Sequence, residues 1–368
     1  MNKVTYFFSG SRKNKVISQS VEAKELYYSY HKFCSENYDV EIVEFSDQKT
    51  IFRKIFYYFD RVLNKFFSIP SYCHKLCSID NLKKIKKSDQ IFLVNEGVAF
   101  SALPMLFLLK KKDKTQVNVF SMGLFSKKVN KKYLFMHNLF LKALISNVDN
   151  LLFLGKGEMD YAISKFDKND KFKFISFSVD EDFWISDKEF QPKKPELLFV
   201  GNDSNKDPVT VVELAKMLPE FNITCVSKLP ELHSKNIDNL KVYDGQWNDS
   251  DITDSQLKKL YESSFLTIVP LFESFQPSGQ SVTMQSMITG TPVLITKTEG
   301  FWDNEVFIDN ENIFFIENND VDLWIKKIKY LYDNQDIVKF VSDSGKNLIR
   351  ENYNLDIFHR RLKELINN

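Results

Sequence analysis

The chain has 368 residues, 43% of them hydrophobic and 27% charged, with a net charge of +1. This composition excludes an intrinsically disordered or low-complexity chain, and the length favours two folded domains. The charge is unevenly divided: residues 1–190 carry 31 Lys+Arg against 22 Asp+Glu, a net +9, whereas residues 191–368 carry a net −8. We therefore expect two domains with different partners.

Cysteine usage and apolar runs predict a protein that stays inside the cell. The four cysteines, Cys34, Cys73, Cys77 and Cys225, form no paired framework, so reduced thiols are expected. Cys73 and Cys77 have no second ligand pair nearby, and no metal site is predicted. The chain opens with a strand rather than a secretory signal, and its most apolar run, residues 98–109, is too short to span a bilayer.

Short apolar, β-rich runs alternate with longer segments of helical period, which predicts βαβ units and parallel sheets. In the first half, strands are predicted near residues 4–8, 40–45, 90–94, 117–120, 150–154 and 172–177. Helices predicted between them include residues 21–36, 100–111 and 133–146. The charges and prolines of residues 186–195 then indicate a linker.

A second αβ series follows the linker. Its strands are predicted near residues 197–200, 222–226, 241–243, 265–270, 292–296 and 313–315, and its helices include residues 208–218, 254–262, 282–288 and 321–334. The pattern predicts an α/β protein with an N-terminal domain of residues 1–185 and a C-terminal domain of residues 196–354. The final amphipathic helix, about residues 355–368, can pack back on the first domain.

The first chemically informative turn follows the first strand of the second domain. That strand ends at Gly201, a polar loop carries Asn202, Asp203 and Lys206, and a helix opens with Pro208. Free backbone N–H groups at a helix N-terminus, together with a lysine, suit a phosphate. The same residues also suit an ordinary β–α turn, because Gly-Asn-Asp favours turns.

A second turn of this kind lies further along the chain. A loop containing Glu273 leads to Ser278, Gly279, Gln280 and Ser281, and a helix and a Gly-x-Pro turn follow. Small residues at a helix N-terminus let an anion or a sugar hydroxyl approach the backbone closely. The sequence therefore predicts a second ligand-binding helix start.

The helix and turn at residues 285–293 carry a family resemblance. They read Gln-Ser-Met-Ile-Thr-Gly-Thr-Pro-Val and resemble the Glu-Ala-Met-Ala-x-Gly-x-Pro-Val signature of family 4 of the retaining GT-B-fold glycosyltransferases, a large bacterial class acting on cell-surface glycans. Tyr243-Asp244-Gly245, the glycine segment 300–306 and the succession 312–320 follow the family's order. The resemblance covers about residues 196–366, and residues 178–184 are similar to the family's Gly-Val-Asp-x-x-x-Phe.

This resemblance implies a GT-B fold, with two Rossmann-like domains and a cleft between them. It implies that the C-terminal domain binds a nucleoside diphosphate sugar. Lys206 is similar in place to the family's phosphate-binding lysine, and Trp247 stands where the base of the donor can stack, although core packing is an equal alternative. The candidate donor-binding residues are Gly201, Asn202, Asp203, Lys206, Gly245, Trp247, Ser278, Gly279, Gln280, Ser281 and Gln285.

The chain departs from the family at three of its ligand-binding positions, and Ser178 and Ile313 replace two of its glycines. The family's second glutamate, which binds the nucleotide ribose, aligns with Gln285, whose amide offers one acceptor oxygen instead of two. The first glutamate aligns with Pro277 by strict spacing, and Glu273, four residues earlier, fills its role if the loop is longer. The family's phosphate-binding arginine is replaced by Asn202-Asp203.

Candidate residues of the first domain lie at strand ends, where open α/β sheets bind ligands. By resemblance, the loop of Ser9, Gly10 and Arg12 faces the donor diphosphate and the acceptor; alternatively, Arg12 is a solvated charge. Glu96 is the candidate carboxylate near the reacting sugar, or else an acidic residue at a helix N-terminus. Glu273 and Glu96 are therefore the candidate catalytic residues.

Lysine runs at residues 83–87, 110–114 and 127–132 make the first domain basic. Such runs usually form solvated loops, but their interleaved Phe and Leu also suit contact with an anionic membrane face. No recognisable nucleic-acid-binding module accompanies them, so nucleic acid is not a predicted partner.

The resemblance implies a hexosyltransferase-type enzyme (EC 2.4). It would move a sugar with retention from a nucleoside diphosphate sugar to a lipid-linked glycan acceptor for cell-surface polysaccharide. We expect no cofactor beyond the donor substrate, no metal, and a location in the cytoplasm or peripherally on the inner membrane face. Two alternatives remain: a sugar-nucleotide epimerase of the same fold, and a non-catalytic GT-B partner subunit.

Overall fold

The computed structural model describes residues 2–47, 51–109, 113–127, 129–167, 170–186, 195–233, 236–245 and 252–367, except for the side chains of residues 51–53. Trp247 and residues 187–194 of the predicted linker lie outside these ranges, as do Lys110 to Lys112 and Lys128 of the lysine runs.

The first six predicted strands are confirmed and form one sheet. They are β1 (Lys3–Phe8), β2 (Asp39–Glu44), β3 (Gln90–Leu93), β4 (Gln116–Ser121), β5 (Asn150–Phe153) and β6 (Phe172–Phe174). Among the described residues this sheet has six strands in the order β2-β1-β3-β4-β5-β6, and all its pairs are parallel. The strands are nearly continuous apolar runs because a parallel sheet buries both faces.

Helices connect these strands. They are α1 (Arg12–Ile17), α2 (Tyr30–Ser35), α3 (Ile51–Phe67), α4 (Cys73–Leu76), α5 (Ile79–Lys87), α6 (Glu96–Leu106), α7 (Leu134–Ser146) and α8 (Lys156–Phe166). Side-chain caps start several of them: Ser78 accepts from Asn81 N at α5, and Asn95 accepts from Val98 N at α6.

The single helix predicted over residues 21–36 is wrong. The chain instead forms one 3₁₀ turn, Glu25–Tyr27, and then α2. Tyr28 and Ser29 between them have left-handed backbone angles, φ 48° and 73°, which a continuous α-helix excludes. The predicted helix 100–111 corresponds to α6, which begins earlier because Asn95 caps it.

The second six strands are also confirmed. They are β7 (Glu196–Val200), β8 (Asn222–Val226), β9 (Leu240–Tyr243), β10 (Leu266–Val269), β11 (Val293–Thr296) and β12 (Phe314–Ile316). Within the described ranges they form a six-stranded parallel sheet in the order β12-β11-β10-β7-β8-β9. The chain reverses its direction of strand addition between β7 and β10, which is where open α/β sheets bind ligands.

The helices of the second half are α9 (Glu181–Trp184), α10 (Pro208–Met217), α11 (Pro230–His233), α12 (Asp254–Ser263), α13 (Gln280–Ile288), α14 (Val321–Asp333), α15 (Gln335–Asn352) and α16 (Leu355–Asn367). Asp207 caps α10 with Pro208 in its first turn, and Thr253 and Gln256 form a capping box at α12. A core of Leu, Ile, Val and Phe side chains packs under these helices, with Trp324 among its fully buried members.

The chain divides into two compact units. One comprises residues 1–21, 26–175 and 359–368, and the other comprises residues 22–25 and 176–358. The predicted boundary stood at residue 185, whereas the structural division falls between Ile175 and Ser176. Within the first unit, Gln116 Nε2 donates to Ile366 O of α16 over 2.6 Å, and Lys363 of α16 pairs with Glu36.

Candidate functional site

The turn between β7 and α10 encloses the side chain of Lys206. This side chain is only 2% exposed, and it folds back over Gly201. A Cβ atom at Gly201 would lie 2.4 Å from Lys206 Cε, so a larger residue there would displace the lysine. The glycine that ends the strand therefore makes room for the buried lysine.

The Lys206 ammonium lacks a hydrogen-bond partner among the described residues. Its nearest opposite charge is Asp203 Oδ2, at 3.9 Å. Burial lowers the pKa of Lys206 from its ordinary value, and Asp203 partly offsets this effect. A buried, unsatisfied cation is costly, and a bound anion would supply the missing hydrogen bonds.

The Lys206 ammonium lies beside the start of α13. Gly279 is the N-cap of this helix, with φ +84°, and a Cβ atom there would lie 3.3 Å from Lys206 Nζ. The positive end of the helix and the ammonium therefore meet at one point. Gln280, in the first turn of α13, is buried, and the next residue, Ser281, is partly buried.

Polar contacts join the two predicted ligand loops. The Ser278 hydroxyl contacts Asp203 Oδ1 at 3.2 Å and accepts from Asn205 Nδ2 at 2.9 Å. Asn202 Nδ2 donates to Gly245 O over 2.6 Å, which brings the loop after β9 to the same cluster. Every described residue of the predicted donor set except Gln285 therefore lies in or next to this loop cluster.

Glu273 occupies a different position, on an exposed loop. Its Oε1 accepts from Ser274 N at 3.0 Å and from Glu299 N at 2.9 Å. Gly300 N also donates to Ser274 O over 2.9 Å. The carboxylate therefore holds together the loops that follow β10 and β11, and it remains open to solvent.

Gln285 lies deeper along α13 and is already hydrogen-bonded. Its Oε1 accepts from the Tyr261 hydroxyl at 3.2 Å, and its Nε2 donates to Glu25 Oε1 over 2.8 Å. Trp184 Nε1 donates to the same carboxylate oxygen over 2.8 Å. Burial raises the pKa of Glu25 to about 7, although these hydrogen bonds act to lower it. The other carboxylate oxygen, Glu25 Oε2, has no hydrogen-bond partner among the described residues.

A further hydrogen-bond network, not predicted from the sequence, lies behind the loop cluster. Asn319 Nδ2 donates to Asp207 Oδ2 over 2.8 Å and to Leu271 O over 3.0 Å, while its Oδ1 accepts from the Thr296 hydroxyl at 2.6 Å. Asp207 also caps α10. The sequence Asp207-Pro208 predicts the helix cap. The hydrogen bond from Asn319 to Asp207 is a tertiary contact, which the sequence does not predict.

In the first unit, Arg12 is half-buried and is not a solvated charge. Its guanidinium donates to Gly10 O over 3.0 Å and lies 5.1 Å from the Phe8 ring centroid. Its backbone N–H donates to Glu44 Oε1 over 2.6 Å. Burial lowers the pKa of Arg12 from its ordinary value. Ser9, in the same loop, is exposed.

Glu96 is buried at the start of α6 and accepts from Met122 N at 3.2 Å. A second buried carboxylate, Glu158 of α8, accepts from Gly123 N, Phe125 N and the Ser121 hydroxyl. Burial raises the pKa of both acids, and the nearby Glu96 helps raise that of Glu158 to about 8. Glu96 was predicted from the sequence, whereas Glu158 was not, because only the fold brings α8 to this loop.

Two kinds of site are not found in the described part of the chain. There it holds no group of three or more His, Cys, Asp or Glu that could bind a metal ion. No described helix is both long and apolar enough to cross a membrane.

Residues 180–353 match the sequence model of a family described as glycosyl transferases group 1. The fold is similar to that of HepE from Anabaena, crystallised with UDP and glucose, with a TM-score of 0.68, 10% identity and 100% coverage of both chains. It is also similar to sucrose-phosphate synthase from Thermosynechococcus elongatus, with a TM-score of 0.68 and 13% identity over 100% of this chain and 98% of that one. TarM from S. aureus, crystallised with UDP among its ligands, matches with a TM-score of 0.61 and 16% identity, covering 78% of this chain and 59% of TarM.

The structural similarities show the GT-B fold for the chain, and the glycosyl transferases group 1 match applies to residues 180–353. No curated protein matches the chain. The family match includes every described candidate of the second unit, from Gly201 to Gln285, whereas Glu25 precedes it. The chain therefore carries, next to Gln285, a carboxylate from outside the matched segment.

Proposed function

We propose that the protein transfers a sugar from a nucleoside diphosphate sugar to a glycan acceptor and that its second unit binds the donor. The observation that carries this proposal is the buried Lys206 ammonium, which has no hydrogen-bond partner among the described residues and lies beside the N-terminus of α13. A diphosphate fits this place because it offers several acceptor oxygens and a negative charge to both groups.

The same groups would assist the reaction. Negative charge develops on the departing diphosphate during transfer, and a fixed ammonium and helix N-terminus stabilise that charge without reorganising. Ser278 and Ser281 supply hydroxyls near the helix start, while Glu273 presents an exposed carboxylate on the neighbouring loop. We propose that the diphosphate binds at Lys206, that the donor sugar lies toward Glu273, and that the reaction requires no metal.

We further propose that a lipid carrier bears the acceptor, that the product serves a cell-surface polysaccharide, and that the enzyme retains the anomeric configuration. Residues 1–190, which contain the first unit as far as residue 175, carry a net +9, and this charge supports an anionic acceptor carrier. Within that unit, Glu96 is the proposed carboxylate for the acceptor. A hexose is the proposed donor sugar, and the inner membrane face is the proposed location.

A thermal-shift screen tests the donor site. UDP, GDP, CDP, ADP and their common sugar conjugates would be added to the wild type, to Lys206→Ala and to the control Lys216→Ala, whose lysine is exposed on α10. One nucleotide class should stabilise the wild type and the control but not Lys206→Ala, because a ligand stabilises the state it binds. If no nucleotide shifts the wild type at millimolar concentration, the donor-site proposal fails.

Product analysis then separates the alternatives. UDP-glucose is a reasonable first donor because HepE was crystallised with UDP and glucose. Sugar in a new glycosidic bond supports transfer, and an epimerised donor would instead favour the epimerase. Nucleotide binding with neither product, for any donor and acceptor tried, would favour the non-catalytic subunit.

A further inference from the structure

The outer face of α3 is apolar and exposed. Ile55 and Tyr58 are 66% and 68% exposed, and Phe59, Val62 and Phe66 are exposed too. These residues recur every three or four positions, so they line one side of the helix. A surface helix of a globular unit normally buries its apolar stripe against the core. An exposed stripe of this kind marks a surface that can bind a partner outside the chain.

An adjoining side of α3 attaches the helix to the first unit. Asp60 is 2% exposed and accepts from the Ser71 hydroxyl, Cys73 N, and both N and Nδ1 of His74, at 2.6 to 3.0 Å. Leu63 is buried beside it. The orientation is therefore fixed by a buried carboxylate, which leaves the apolar stripe pointing outward.

A second exposed apolar segment adjoins the end of α3. Phe66 of α3 contacts the Tyr133 ring, with 5.6 Å between centroids, and Tyr133 leads directly into α7. On α7, Phe135 is 78% exposed, and Leu134 and Leu139 are also exposed. The α3–α7 face is the set Ile55, Tyr58, Phe59, Val62, Phe66, Leu134, Phe135 and Leu139.

Positive charge borders this face. Lys54, Arg61 and Lys65 follow one side of the α3 stripe, and all three are exposed. Lys131 and Lys132 are exposed just before α7. The only acidic residue within residues 51–67 is the buried Asp60, and residues 129–146 contain none. The charged border of the face is therefore cationic.

We propose that the α3–α7 face docks on the surface of an anionic lipid bilayer. Apolar and aromatic side chains would enter the boundary between headgroups and acyl chains, with the helices lying in the membrane plane. The flanking lysines and arginine would contact anionic headgroups. Lipid binding at this face requires no donor site, so its test is independent of sugar transfer.

Co-sedimentation of the full chain with lipid vesicles tests the proposal, with no donor present. The wild type should bind phosphatidylcholine vesicles that contain phosphatidylglycerol, and salt should weaken this binding. The triple variant Lys54→Glu, Arg61→Glu, Lys65→Glu should partition at least about 100-fold more weakly, since each cation contributes about fivefold. The variant Tyr58→Ser, Phe59→Ser, Phe66→Ser should also lose binding.

A matched control lies on the second unit. Lys339 and Phe340 are exposed neighbours on α15, and Lys339→Glu with Phe340→Ser should bind vesicles like the wild type. A Tyr58→Trp reporter should be quenched by brominated phosphatidylglycerol, whereas Phe340→Trp should not. Melting curves would check that each variant is folded.

Three results would overturn the proposal. The first is a wild type that does not bind phosphatidylglycerol vesicles, and the second is α3 variants that bind vesicles as well as the control does. The third is a wild type that self-associates in sedimentation equilibrium without binding lipid, while the α3 variants are monomeric. That last result would assign the face to a second copy of the chain.

Discussion

The side-chain amide of Gln285 donates a 2.8 Å hydrogen bond to the carboxylate of Glu25, although 260 residues separate them. The segment of residues 22–25 reaches this place through successive bonds: Ser255 N and Oγ donate to Glu22, and Lys24 N donates to Asp180. A residue from the start of the chain therefore belongs to the second unit and brings a carboxylate to α13.

Glu25→Gln should stabilise the protein at about pH 8 and have little effect near pH 4. The pKa of Glu25 is raised from 4.5 to about 7, so its stabilising contribution is complete below pH 4.5 and is lost as pH rises through 7. Removing the charge should therefore raise the free energy of unfolding at pH 8 by about 3 kcal/mol. Urea unfolding across this pH window measures the difference.

Glu22→Gln is the matched control for Glu25→Gln. Its carboxylate contacts Ser255 at an exposed position, where water can replace lost bonds, so a change within about 0.5 kcal/mol is expected. If Glu25→Gln follows the same stability–pH curve as the wild type, the pKa of the buried Glu25 carboxylate is not raised.

Lys206→Met should keep or raise the stability of the ligand-free protein and weaken nucleotide binding. Methionine fills the space of the lysine side chain without placing an unpaired charge in it. Loss of a charged hydrogen bond should weaken diphosphate binding about 10- to 100-fold. Melting temperature and titration calorimetry measure the two effects.

The exposed Lys216, paired with Glu213 on α10, provides the control Lys216→Met. Its nucleotide affinity should equal that of the wild type. A Lys206→Met variant that is strongly destabilised and yet binds nucleotide normally would show that the ammonium has a structural partner and no ligand.

Patterns among neighbouring residues in the sequence were sufficient to predict the strands of both sheets and the turn that contains Lys206. Strands such as β10 and β11 are buried on both faces and therefore read as continuous apolar runs, and the Gly-to-Pro turn before α10 carries its own cap. Both features depend on neighbouring residues alone, so the sequence was enough to predict them.

Tertiary contacts explain what the sequence could not predict. Residues 22–25 do not continue a helix, because their partners lie at Asp180, Ser255 and Gln285. In the sequence, Glu158 is likewise indistinguishable from an ordinary charged helix residue. Only the folded structure shows that it accepts a hydrogen bond from Gly123 N. The occupied amide of Gln285 follows from the same long-range packing.

Gly279→Ala should destabilise the protein and weaken nucleotide binding together. The residue has φ +84°, where a side chain costs about 1–2 kcal/mol. Its new Cβ would also lie 3.1 Å from Val269 Cγ1 and 3.3 Å from Lys206 Nζ, within the proposed phosphate position. Urea unfolding and nucleotide titration measure both losses.

Gly97→Ala controls for the added methyl group. It lies inside α6 at ordinary helical angles, and its Cβ would meet no atom closer than 3.3 Å, so a change below about 1 kcal/mol is expected. Unchanged nucleotide affinity in Gly279→Ala would contradict the placement of the anion at the start of α13.

Asp60→Ala should loosen α3 and destabilise the first unit. The carboxylate accepts hydrogen bonds from Ser71, Cys73 and His74, and its removal leaves buried donors unsatisfied, which costs about 2–4 kcal/mol. Hydrogen exchange should show faster exchange of α3 amides, and urea unfolding should show the loss in stability.

Asp160→Ala, at an exposed position on α8, is the control and should change stability by less than about 0.5 kcal/mol. Equal stability of the two variants would mean that α3 is held by its apolar contacts, such as Leu63, and that the outward orientation of the α3–α7 face does not depend on Asp60.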